Sequence, residues 1–212
     1  EATAGEDGGA VYALLGPVSG AMSLADADAK VTPAAAGSSL GRRGATAGPG
    51  DLDGDGYGDL FLGAYSDDSA GTNAGAAFVV LGPVSGAMAT ADAAMTISGD
   101  ESGHYLGWTA AAAGDFNHDG SPDLAVGSPL EDGGGDSAGA VYLFYGVTSG
   151  GVSAADADAV VRGAEDEIAS WALAGVGDVS GDGLDDLAIG APGADGDSTN
   201  AGAVYLLFGN GY

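Results

Sequence analysis

One pattern, Gly-Ala-apolar-aromatic, returns four times along the chain: Gly9-Ala10-Val11-Tyr12, Gly75-Ala76-Ala77-Phe78, Gly139-Ala140-Val141-Tyr142 and Gly202-Ala203-Val204-Tyr205. Successive copies begin 66, 64 and 63 residues apart. An acidic loop returns three times, starting at Asp51, Asp115 and Asp178, with spacings of 64 and 63. Each loop runs into an apolar stretch ending in glycine: Leu60 to Gly63, Leu124 to Gly127 and Leu187 to Gly190. A further segment follows the aromatic one after a Gly-rich turn, at Ala29 to Thr32, Ala94 to Ser98 and Ala159 to Arg162. Such a period copies one supersecondary unit, which buries its apolar faces only by stacking on its neighbours.

Within each unit the segments are short and separated by Gly, Asp, Asn and Ser, the punctuation of strands rather than helices. The first is Ala-rich (Thr109 to Ala113, Ala172 to Gly175), so backbones approach closely there. The second is apolar on both faces and reads as buried. The third, as in Val141-Tyr142-Leu143-Phe144-Tyr145, mixes β-branched and aromatic residues that suit a packed pleat. Four strands per unit predict an all-β fold of propeller blades, each a four-stranded antiparallel sheet. The predicted divisions are 1–37 (a partial blade with strands three and four), 38–103, 104–166 and 167–212 (a blade lacking its last strand). Three-odd repeats fall short of the roughly four to eight blades that close around an axis. An incomplete propeller is expected, completed by further chain or by another copy; a homo-oligomer or part of a larger propeller follows.

Charge removes other classes. Lys and Arg number 4 against 31 Asp and Glu, a formal net charge of −27. A chain with that field repels polyanions, so neither nucleic acid nor an anionic membrane surface is an expected partner. No apolar run approaches the ~20 residues of a membrane span, so no insertion is expected. Disorder is a poor fit, because 45% of residues are hydrophobic and the aromatics recur at fixed places. The absence of Cys excludes disulfides and thiolate metal sites. Glu1 follows no basic-then-apolar leader, so a processed or engineered start is expected.

The acidic loops carry the chemistry. Oxygen side chains stand at positions 1, 3, 5 and 9: Asp51, Asp53, Asp55, Asp59; Asp115, Asn117, Asp119, Asp123; Asp178, Ser180, Asp182, Asp186. Glycine occupies position 6, and Tyr57, Ser121 and Leu184 at position 7 offer a main-chain carbonyl. Ca²⁺ takes 6–8 oxygen ligands, and alternate residues of a tight loop all face inward. Carboxylates packed so closely repel one another without a cation. About three Ca²⁺ per chain are therefore expected, with the third loop weakened by the neutral Ser180. Mg²⁺ is disfavoured because it demands strict octahedral geometry and keeps its waters. An EF-hand would need an acid at position 12, where this chain has Leu62, Val126 and Ile189.

These residues also carry a resemblance. Leu106-Gly107, Gly114-Asp115 and Gly127-Ser128-Pro129, with Gly190-Ala191-Pro192, resemble the FG-GAP repeat of the integrin α-subunit β-propeller, over nearly the whole chain. Leu40, Leu106 and Ala169 stand where that family has Phe, Gly63-Ala64-Tyr65 lacks the Pro, and two extra residues separate Leu40-Gly41 from Asp51. The resemblance implies a propeller that is usually seven-bladed, with Ca²⁺ between the first two strands of a blade. It also implies an extracellular or cell-surface (secreted) module for adhesion or protein interaction and assembly, with its ligand left open.

No catalytic constellation emerges. His104 and His118 sit at non-equivalent places, no nucleophile has a base partner, and no carboxylate pair stands apart from the loops. A non-catalytic protein is expected. Trp108 and Trp171 hold matching places at the start of the inner strand, opposite the loops, where Arg42 or Arg43 stands in the preceding repeat. They read as packing aromatics or as a stacking platform for a glycan or side chain. Arg42, His104, Trp108 and Trp171 are the candidate ligand residues. A carbohydrate-binding propeller, and a propeller part of a larger secreted enzyme, stand as alternatives.

Overall fold

The computed structural model describes residues 8–146, 149–195 and 200–211; residues 1–7 of the expected partial blade lie outside them. The first sheet begins with β1 (Val11–Ala13) and β2 (Ala29–Thr32). The second is built on β3 (Thr46–Gly50), β4 (Asp59–Ala64) and β5 (Ala76–Val80). The chain then steps back, adding β6 (Gly86–Ala89) to the first sheet before β7 (Met95–Ser98) returns to the second. The third sheet repeats this plan with β8 (Thr109–Gly114), β9 (Asp123–Ser128) and β10 (Ala140–Phe144). From it β11 (Gly150–Ser153) crosses to the second sheet and β12 (Ala159–Arg162) returns. The fourth sheet holds β13 (Ala172–Gly177), β14 (Asp186–Ala191) and β15 (Ala203–Leu207). The fold is all-β, an incomplete propeller of mostly antiparallel blades. No helix among the described residues is long and apolar enough to cross a membrane.

The strands present in each unit pair antiparallel as the sequence predicts, all four of them in the second and third sheets. The Gly-rich turn between strands three and four is different. It contributes a fifth strand, parallel to the fourth strand of the preceding blade: β6 lies on β2 and β11 on β7. Pairing starts where the Gly86 N–H donates to Asp28 O and the Gly150 N–H to Ala94 O, both at 2.8 Å. The two glycines take φ +64 and +97, which admits the sharp approach. Such a strand has little propensity of its own; the neighbouring edge makes it one.

Strand alternation builds a core on each side of a blade. From the second sheet Phe61, Val79 and Ile97 face the third, where they meet Leu106, Leu124, Val126 and Tyr142. Leu62, Phe78 and Val80 face the first, against Val31 and Leu40. Phe116, Val141 and Leu143 meet Leu187 and Ile189 at the next joint. β5 and β10 are therefore buried along their whole length, while β15 has a bare side, with Val204 71% exposed.

The repeated glycines sit where blades touch. A Cβ on Gly75 would overlap the Leu106 carbonyl of the next blade, and one on Gly139 the Ala169 carbonyl. Bridges of the parallel type tie Gly9 to Leu40 and Gly75 to Leu106. The two additional residues after Gly41 are absorbed by a 3₁₀ turn at Arg42–Gly44, and β3 still pairs with β4, Thr46 facing Leu62 and Ala47 facing Phe61.

Candidate metal centre

Each inner strand breaks register one step before its acidic loop, between Ala47 and Gly50, Ala112 and Gly114, and Gly175 and Gly177. Gly50, Gly114 and Gly177 have positive φ there. A bulge of this kind turns the strand sharply and re-aims the next side chain, here Asp51, Asp115 or Asp178.

That first carboxylate organises its loop. Asp51 Oδ1 accepts from the N–H groups of Gly54 and Asp55 at 2.8 and 3.0 Å, and Oδ2 from Gly56 at 2.8 Å. Asp178 repeats the pattern with Gly181, Asp182 and Gly183, and Asp115 with Asp119 and Gly120. Positions 3 and 5 each accept one N–H two residues on, as in Asp53 from Asp55 and Asp55 from Tyr57, except Ser180, whose hydroxyl donates to Asp178 Oδ1 at 3.4 Å.

Position 9 is the anchor. Asp59, Asp123 and Asp186 are buried. Each accepts from loop position 2 (Leu52, Phe116, Val179) and from the glycine after strand three (Gly82, Gly146, Gly209). Burial pushes the Asp123 carboxyl above the usual carboxylate range, against the donors Gly146, Asn117 and Phe116. Asn117 holds Asp119 below it through a 2.9 Å hydrogen bond from Nδ2. In the first loop, oxygens of Asp51, Asp53 and Asp59 lie within 4.8 Å of one another. Carboxylate oxygens keep lone pairs beyond the N–H groups they accept. The donor set, all hard oxygen, fits a divalent cation such as Ca²⁺.

Two features escaped the sequence reading. Asp185, at position 8 of the third loop, accepts the Asp115 N–H at 2.9 Å and ties two loops together. Phe116, at position 2, is buried in the joint with the fourth blade, so the loop is pinned from below. The sequence signals were an acid doubled against Asp186 and an apolar residue recurring at position 2.

At the opposite end, Trp108 and Trp171 come together, ring centroids 4.7 Å apart, with Tyr65 and Tyr105 beside Trp108. Arg43 lies over Trp108 at 4.2 Å and is also near Trp171. Arg42 is exposed on the same turn. Burial raises the Tyr65 phenol, yet hydrogen bonds with Ser39, Ser66 and Arg43 outweigh it and leave the pKa lowered. Trp108 is 9% exposed and Trp171 41%, so only Trp171 offers a face to solvent. His104 is elsewhere, buried with Asp100, Glu101 and Asp132 at 3.7–4.0 Å. His118 is exposed, 3.9 Å from Asp115.

Residues 43–80, 107–144 and 170–207 each match the FG-GAP repeat. The chain is 33% identical over 169 residues to phosphatidylinositol-glycan-specific phospholipase D of Bos taurus, covering 74% of this chain and 19% of that protein. It is 39% identical over 92 residues to integrin alpha-10 of Homo sapiens, covering 42% of this chain and 8% of that protein. Integrin alpha-7 of Homo sapiens is 36% identical over 115 residues, 54% of this chain and 9% of that protein. The chain thus spans a small part of each relative's length.

Proposed function

Because the chain belongs to the FG-GAP repeat family, we propose that it is a Ca²⁺-binding propeller segment of an extracellular protein, serving adhesion or assembly and carrying no catalytic site of its own. The observation that carries this reading is the threefold loop geometry, with Asp51, Asp53 and Asp59 convergent at one end of the second blade. Ca²⁺ would be held by Asp51, Asp53, Asp55, the Tyr57 carbonyl and Asp59, and by the corresponding residues of the other two loops. When bound it neutralises the carboxylates and cross-links loop to strand. Modules outside the cell bind Ca²⁺ at ~10⁻⁴–10⁻³ M, which suits a chain whose first and third carboxylates remain partly exposed. Calorimetric titration tests it: about three sites in that range are expected, and no heat of binding beyond dilution removes the assignment.

The phospholipase relative favours a second reading, in which this segment is the propeller part of a longer enzyme. The chain alone would then bind Ca²⁺ yet hydrolyse no glycosyl-phosphatidylinositol, whereas its full-length parent would. The glycan-platform reading rests on Trp171, since Arg43, Tyr65 and Trp171 surround Trp108. A glycan array that loses its signal in Trp171→Ala would support it.

A further inference from the structure

One place, two residues before Leu40, Leu106 and Ala169, holds a different polar residue in each of three blades: Ser38, His104 and Glu167. Two of the three are satisfied. Ser38 Oγ is held by Asp67 Oδ2 at 3.0 Å and by the Ala35 carbonyl at 2.8 Å. Glu167 accepts from the Tyr205 hydroxyl at 2.8 Å and from the Ala164 N–H at 2.9 Å. His104 is the exception. It is 9% exposed, and its Nδ1 is buried with no hydrogen bond among the described residues. Glu131, which stands where the second blade has Asp67, turns to Arg162 instead. Its Oε1 accepts from Arg162 Nε at 3.0 Å, and its Oε2 is buried without a partner. Two orphaned polar atoms so close in the fold are costly unless something else meets them.

Three further carboxylates face the ring. Asp100 Oδ1 is 3.7 Å from Nδ1, while Glu101 Oε2 and Asp132 Oδ2 are 3.7 and 4.0 Å from Nε2. These separations are too long for hydrogen bonds. Two ligands of one tetrahedral ion, each bound at ~2.0–2.2 Å, stand about 3.3–3.5 Å apart. The spacings at Nε2 are near that value. We propose that His104 Nε2, with the carboxylates of Glu101 and Asp132, holds a divalent ion of the Zn²⁺ type, at the end of the blades away from the acidic loops. A metal-bound imidazole is oriented by donating its other ring N–H to a carboxylate, and Asp100 stands at that place beside Nδ1. The imidazole sets this site apart from the acidic loops, whose donors are all oxygen, and selects Zn²⁺ over Ca²⁺. No acidic-loop residue takes part, so the proposal is independent of the Ca²⁺ reading.

The ring is held and the acids are free to close on an ion. Ser128 Oγ donates to the His104 carbonyl at 2.7 Å, and the Gly103 and Tyr105 N–H groups donate to Thr72 and Asn73 carbonyls at 2.9 and 3.1 Å. Asp132 is positioned by its other oxygen, Oδ1, which accepts the Ser137 N–H at 3.1 Å. The side chains of Glu101 and Asp132 are 73 and 63% exposed. The field at this place favours a cation as well: burial, then the charges of Asp100 and Glu131, push the Tyr142 phenol up. A bound ion would clamp the segment joining the second and third blades to the turn between β9 and β10.

The chain has only two histidines, so the test is clean. Calorimetric titration of the full 212-residue chain with Zn²⁺, in excess Ca²⁺, should show one site. Asp100→Ala should weaken it about 10–100-fold, the range for a supporting carboxylate, and His104→Asn by more. Glu101→Gln alters an exposed acid, so it should weaken Zn²⁺ binding about 10-fold or more while leaving the melt in chelator unchanged. His118→Asn should bind Zn²⁺ as the parent does. If His104→Asn fails to fold, Glu101→Gln and Asp100→Ala decide the matter. No heat of Zn²⁺ binding, an affinity unchanged in Glu101→Gln, or a site lost in His118→Asn and kept in His104→Asn would overturn the proposal.

Discussion

At the scale of single residues, the acids of one loop do separable work. Asp51 accepts three backbone N–H groups, so its loss opens the loop whether or not metal is present. Asp53 accepts one. Asp53→Ala should therefore change stability little in chelator, within about 1 kcal/mol, yet remove about 1–2 kcal/mol of the Ca²⁺-dependent part. Asp51→Ala should cost in both conditions, by about 1–3 kcal/mol in chelator. Ser180→Ala, which removes no charge, should lose less Ca²⁺-dependent stability than Asp51→Ala or Asp115→Ala. Melting curves with and without Ca²⁺ separate these cases. Tyr57 adds an optical check: terbium in the first loop should show Tyr-sensitised emission that falls sharply in Tyr57→Phe. The tight turning of the loops was legible in the sequence because their hydrogen bonds join residues a few positions apart. Asp185 was not, because its partner, the Asp115 N–H, lies in another blade.

At the scale of elements, the joint between blades governs stability. Gly75 has φ +82, and a Cβ there would overlap the Leu106 backbone, so Gly75→Ala carries both strain and a clash. A loss of about 2–4 kcal/mol is expected by denaturant titration, well above a surface Gly→Ala change. The aromatic cluster gives a paired test. Trp108→Ala removes a buried ring that touches Tyr65, Tyr105, Trp171 and Arg43, and should cost about 3–5 kcal/mol. Trp171→Ala, with its ring half in solvent, should cost clearly less. Strands one to four were legible from alternation and turn residues. The crossing strands were not: Gly86-Ala87-Met88-Ala89 and Gly150-Gly151-Val152-Ser153 have no strand pattern of their own and are made strands by the edges of β2 and β7. Arg43 on Trp108 was half legible: the sequence placed an arginine there, but Arg42 was the one taken as a candidate ligand residue, and it is Arg43 that lies over the ring.

At the scale of the whole molecule, charge and metal act against each other. A net −27 favours expansion of the compact state. Three divalent ions would offset about six of those charges at the places where they are densest. An ion that binds only the folded state at ten times its dissociation constant stabilises by about 1.4 kcal/mol, so three sites supply about 4 kcal/mol. For a chain of this size that corresponds to a change of about 10 °C in melting temperature. The measurement that tests the account most directly is a thermal melt of the intact chain in excess Ca²⁺, then in excess chelator, then with Mg²⁺ restored. The account predicts a fall of about 10 °C on chelation that Ca²⁺ reverses and Mg²⁺ does not. A melting temperature unchanged by chelator would contradict it.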